Sequence, residues 1–243
     1  MKKILLITCL AGATTLSAQI NLNTLKNQAT KVVKTAPAGL SQQEIIDGLK
    51  EALSKGSGKA GQLASAVGGF NNNSLIHIPF PEDAKKMETK LRAIGMGAQV
   101  DKFVSTLNEA AELASKQVGD IFLTAIKNMT VTDGMNILKG KDDAATQYLH
   151  TQTYQQLYDK FKPIVVAALK QVEVTKYWSP LVTKYNSIPL VEKVNPDLED
   201  YATKKAIEGL FKLVAQEELK IRKDVNARTS DLLKKVFAEA DKR

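Results

Sequence analysis

Val100, Val104, Leu107, Ala111, Ala114, Val118, Ile121 and Ala125 recur at alternating spacings of four and three residues. On an α-helix that spacing lays one apolar stripe along a single face, suited to near-antiparallel packing on neighbouring helices. The alanines let a partner helix come close. A helix over 100–125 is therefore expected to organise the fold.

The rest of the chain follows the same period. Ser41 with Glu44 three residues on makes a capping box, and Ile45, Leu49 and Leu53 continue it as a helix. Residues 56–61 read as a glycine hinge, followed by a short helix to Val67. The only strand-like piece, 75–81, carries two prolines and is demoted to an extended connector. A helix from Glu82 runs to Gly95, and Thr132-Asp133 is expected to cap a short one ending at Gly140. Asp142-Asp143 opens a helix that Pro163 should break or restart. Further helices are expected over 164–172, 176–185, 197–224 and 230–240. The reading is all-α: a single multi-helix, bundle-like domain over 41–240 with long central and C-terminal helices.

The first 40 residues read differently. Lys2 and Lys3 precede an apolar run over 4–10, and Leu16-Ser17-Ala18 ends in a small residue before Gln19. This is the pattern of a cleaved export signal over 1–18, and the run is too short to span a bilayer, which needs roughly 20 residues. A lipid anchor at Cys9 is disfavoured, because Thr8 is bulky for the position before a modified cysteine. Residues 19–40 read as an N-terminal arm or linker. Cleavage would remove the only cysteine, and with it any disulfide or thiol chemistry, and would lower the formal charge of +8 by two. A periplasmic location follows as the expectation. The basic residues alternate with acidic ones along the same segments, which disfavours nucleic acid and leaves at most weak peripheral membrane contact.

Catalytic signatures are scarce. Gly56-Ser57-Gly58-Lys59-Ala60-Gly61 spells G-x-G-x-x-G, but it follows a helix where a dinucleotide fold needs a strand. His77 and His150 stand far apart with no ligand-spaced partner, and no G-x-S-x-G elbow occurs. No metal site and no cofactor are expected. Asp142 and Asp143 are adjacent and point in different directions on a helix, so helix capping is their expected role.

Polar residues inside apolar stripes carry more information. Ile207, Phe211, Val214, Glu218, Ile221 and Val225 share the four-three spacing, which puts Glu218 at a core position with Arg222 four residues on. Thr153 falls between Leu149 and Leu157, while Asn108 and Glu112 flank the long stripe. A buried carboxylate must be paired or protonated. These residues either lock helix register or line a pocket in which Glu112 and Glu218 bind a ligand or act as an acid–base pair. Tyr154, Tyr158 and Phe161 share a face and read as core packing with wet hydroxyl ends.

The segment Asn108-Glu109-Ala110-Ala111-Glu112, the segment Asp142-Asp143-Ala144-Ala145-Thr146-Gln147-Tyr148, and Gly209-Leu210-Phe211 through Glu218 and Ile221-Arg222 resemble the bacterial family called domain of unknown function 4197. The likeness spans roughly 41–237. It implies an exported, mostly helical protein without an assigned substrate. It marks Asn108, Glu112, Asp142, Asp143, Thr146, Glu218 and Arg222 as motif positions without giving them roles.

The expected function is a non-enzymatic envelope module that holds an apolar or amphiphilic ligand, or an envelope protein, between helices. The alternative is a carboxylate-dependent hydrolase of an envelope component, with Glu112 and Glu218 as its pair.

Overall fold

Ser41 accepts the backbone N–H of Glu44 while the Glu44 carboxylate accepts the N–H of Ser41, so the capping box starts α1 (Gln42–Ser65) where the sequence places it. The computed structural model describes residues 39–194 and 196–241, which lie in one compact unit. The export signal and most of the 19–40 arm fall outside the described residues. Eight further α-helices follow: α2 (Lys85–Ala93), α3 (Gly97–Ser115), α4 (Val118–Lys127), α5 (Val131–Leu138), α6 (Ala144–Gln171), α7 (Val174–Asn186), α8 (Leu198–Lys223) and α9 (Asp231–Ala240). The described residues contain no strand, and the fold is all-α.

Helix α1 crosses the 56–61 glycines without a hinge. Each interior glycine costs a helix about 1 kcal/mol relative to alanine, and at Gly48 and Gly61 close packing offsets that cost. A Cβ on Gly48 would lie 2.7 Å from the Val236 methyl, and one on Gly61 would lie 3.3 Å from that of Val118. Gly48 and Gly61 are sites of close approach by α9 and α4, while a Cβ on Gly58 would meet nothing within 4 Å.

The long central stripe is split. Helix α3 ends at Ser115, whose hydroxyl donates to the Ala111 carbonyl at 2.7 Å, and Lys116 and Gln117 close with tighter i→i+3 bonds before α4 begins. The break shifts the helical phase. Val118, Phe122 and Ile126 take the core positions of α4, leaving Ile121 and Ala125 only partly buried. Thr130, rather than Thr132, caps α5, with Asp133 completing its capping box.

Proline is also overridden. Helix α6 runs through Pro163 and α7 through Pro180. Pro163 cannot donate to the Asp159 carbonyl, but both residues lie on the exposed side, where that acceptor is open to solvent. Packing of Leu157, Phe161, Val165 and Leu169 in the core holds the helix together across the gap.

Helix α8 packs along α1 and α6, and α3 packs on α1, α6 and α7. Phe80, Phe103 and Trp178 form one aromatic cluster, and Phe122 meets Phe211 edge-on at 5.4 Å. Segment 66–81 is non-helical and buries Phe70, Ile76, Ile78 and Phe80 against this core. Gly209 on α8 makes room for it, since a Cβ there would lie 3.0 Å from Phe70 and 3.2 Å from Ile76.

Candidate functional site

Glu218 and Arg222 lie one turn apart on α8, and each side chain is 6% exposed. The Glu218 carboxylate accepts the N–H groups of Ala145 (2.9 Å) and Thr146 (2.7 Å), and the Thr146 hydroxyl (2.8 Å). These are the free donors of the first turn of α6, so a carboxylate from another helix caps α6 and meets the positive end of its dipole. Arg222 binds the same carboxylate through Nε (2.9 Å) and Nη2 (2.8 Å), then donates to the carbonyls of Ile137 (3.0 Å) and Leu138 (3.5 Å) at the end of α5. One ion pair thus closes two helix ends, negative charge at an N-terminus and positive charge at a C-terminus.

This arrangement replaces the expected role of the paired aspartates. Asp143 occupies the N-cap position of α6 but makes no capping bond. It accepts from the Gln147 amide at 3.2 Å instead. Asp142 is exposed and pairs with Lys223 at 3.0 Å. Thr153 is buried and donates to the Leu149 carbonyl of its own helix at 2.6 Å.

Asn108 and Glu112, one turn apart on α3, do a second job. Glu112 accepts the N–H groups of Gly68 (3.1 Å), Phe70 (3.0 Å) and Asn71 (3.1 Å). Gly68 has φ +78°, and a Cβ on Gly69 would lie 2.4 Å from the Leu63 carbonyl oxygen, so glycines let this turn aim its donors inward. The Asn108 amide accepts from the Ile78 N–H and donates to the Ile78 carbonyl, both at 2.8 Å, as a neighbouring strand would. Tyr201 donates to the Pro79 carbonyl (3.1 Å), and the Asn71 side chain donates to the Ser105 carbonyl (3.1 Å). Segment 66–81 is pinned along its length by α3 and α8.

The two buried carboxylates share no hydrogen-bond partner. Glu112 holds 68–71 and Glu218 holds 145–146. Beside Glu218 lies an apolar cavity of about 10 Å³ lined by Leu49, Leu53, Val214 and Phe237, enough for roughly one water. Glu112 does not line it.

The pinned segment forms one wall of an open cleft of about 310 Å³, whose other walls are α2 and α3. Pro79 and Val104 supply apolar surface, while His77, Lys85, Glu88, Arg92 and Asp101 supply the polar groups. Arg92 is held between Asp101 (2.8 Å) and Glu88 (3.0 Å), and these carboxylates raise its pKa. Burial works against ionisation of Glu88, but bonds from Lys85 and Arg92 keep its pKa below the ordinary value. Sequence reasoning passed over Arg92 and Asp101 and left His77 without a role. One signal was available: Ile76, Ile78 and Phe80 alternate with Leu75, His77 and Pro79, a period of two that presents alternate residues outward.

A model of the family described as protein of unknown function, DUF4197, matches residues 39–238. The chain belongs to DUF4197. No curated protein and no solved structure matches it. Both clamps and the pinned segment lie inside the DUF4197 region. Among the described residues of this DUF4197 chain, no group of three or more His, Cys, Asp or Glu side chains could hold a metal ion. No described helix is long and apolar enough to cross a membrane.

Proposed function

We propose that the chain is an exported, envelope-located binding module that seats a small amphiphilic ligand in the cleft between segment 66–81 and helices α2 and α3. The observation that carries this reading is the fixing of an irregular segment by a buried carboxylate and a buried amide. Loops held on a rigid scaffold are where binding groups concentrate. The cleft volume falls at the lower end of small-molecule sites, which run from about 300 to 1,000 Å³. Its apolar wall of Pro79 and Val104 beside a charged rim suits a ligand with both characters. The leader-like pattern over 1–18 supports export.

The hydrolase reading has less support. A catalytic carboxylate must face its substrate, whereas Glu112 and Glu218 are occupied by backbone donors of separate segments. Native mass spectrometry of protein purified from its own host is the test. A copurifying small molecule is expected, displaced in Val104→Trp and weakened in His77→Ala with the melting temperature of the latter unchanged. A bare chain in every preparation would sink the proposal.

A further inference from the structure

Helix α2 presents three faces. Met87 and Leu91 are buried, and Lys85, Glu88 and Arg92 border the ligand cleft. Lys86, Lys90 and Ile94 form the third, an exposed line at successive spacings of four. Beside that line stands the 187–194 turn. Lys86, Thr89 and Lys90 line a second cleft, of about 450 Å³, together with Tyr185, Leu190 and Glu192.

Leu190 is the unusual residue of this face. Its backbone is left-handed (φ +63°), a region that a branched apolar residue rarely occupies. Its side chain is fully exposed, at 106% of the reference area. The turn therefore carries backbone strain and holds a leucine out into water, which is the reverse of what stability alone would select. Ile94 adds a second apolar side chain, 48% exposed. Lys86 and Lys90 on α2 and Glu192 in the turn line this cleft, and Lys184 and Lys193 are exposed positions close by in the chain. None of the four lysines makes an ion pair among the described residues. Lys85, on the neighbouring face of α2, is paired with Glu88.

We propose that this face docks on an anionic lipid surface, with Leu190 and Ile94 entering the headgroup boundary and the unpaired lysines meeting lipid phosphates. A fully exposed leucine needs no complementary pocket in a bilayer, whereas a protein partner would have to supply one. Lysine stems lie along the apolar boundary while their ammonium groups stay with the phosphates. The inference stands without the ligand cleft, although docking in this orientation would bring that cleft close to the lipid.

Flotation of the full chain with vesicles is the test, using phosphatidylglycerol-containing vesicles against pure phosphatidylcholine. Binding is expected to the first and not to the second. Lys86→Gln with Lys90→Gln should weaken it roughly 25-fold, at about fivefold per lysine. Lys59→Gln with Lys160→Gln, on exposed positions elsewhere, should leave it unchanged. Leu190→Asn keeps the left-handed turn and should weaken binding without lowering the melting temperature. Emission from Leu190→Trp should shift to the blue on the anionic vesicles. Equal binding to both vesicle types, an equal loss in the control pair, or unshifted emission would each overturn the proposal. So would an acidic protein captured through Lys86 and Lys90 by a chain that ignores vesicles. None of these results bears on whether a small molecule copurifies.

Discussion

Two carboxylates, Glu112 and Glu218, are buried to the same extent (7% exposed) and bind backbone N–H groups, yet only one carries an arginine. Glu218 works at a junction of helix ends, where α5 contributes free carbonyls and α6 contributes free N–H groups. Arg222 satisfies the former and neutralises the carboxylate that satisfies the latter. Glu112 faces a turn that offers donors alone, and three N–H groups from 68–71 suffice to hold its charge. The kind of backbone to be closed decides whether a buried acid needs a buried base.

That contrast is sharpest when the acid is removed. Glu218→Ala leaves the Arg222 charge buried without its partner, and denaturant unfolding should show a loss of about 3–5 kcal/mol. The double variant Glu218→Leu with Arg222→Met should recover only part of that loss, since it removes the desolvation cost of both charges but leaves the 145–146 N–H groups and the 137–138 carbonyls unsatisfied. A double variant no better than Glu218→Ala would break the explanation based on charge pairing. Glu112→Ala should cost less, about 2 kcal/mol, because water can reach part of the 68–71 backbone. Its signature should be local: amide exchange speeds up at Gly68, Phe70 and Asn71 and stays slow at Ala145 and Thr146. Asp143→Ala should change stability by under about 0.5 kcal/mol, because Glu218 holds the cap that Asp143 leaves unmade. A larger loss would return the capping role to Asp143.

The smallest expected effect is pH-dependent. Hydrogen bonds from Arg228 hold the Asp241 carboxyl below its ordinary value of 3.8, outweighing the effect of burial. A carboxylate whose folded pKa is depressed contributes stability above the unfolded value, and that contribution disappears as pH falls through the folded value. Wild-type protein should therefore lose stability below about pH 4 more steeply than Asp241→Asn. Parallel acid limbs in thermal melts would contradict this.

Much of the fold was legible from spacing alone. The four-three stripes located the helices, and Glu218 followed by Arg222 was visible as a polar pair inside one of them. What spacing could not supply was long-range packing. The glycines of 56–61 read as a hinge because helix propensity is local, whereas Val118, packed against Gly61, and Glu217, beside Gly56, come from far along the chain. Pro163 read as a break for the same reason. The Glu218 side chain was recognisable as buried, but its partners lie 72 and 73 residues earlier, and Ala145 contributes only a backbone N–H that no sequence pattern marks. The cleft was harder still. Its His77 depends on Ile78 being clamped by Asn108, a contact between an extended segment and a helix that neither periodicity announces.

The closure of α5 and α6 by α8 has a consequence in time. A chain that emerges N-terminus first completes residues 131–171 long before Glu218 and Arg222 exist, so the corner between the two helices must wait with its end groups open to water. Loop closure over that separation is slow compared with the formation of either helix. Final setting of the corner is thus coupled to arrival of α8 near the end of the chain, and a truncation before α8 would leave both helix ends without their lock.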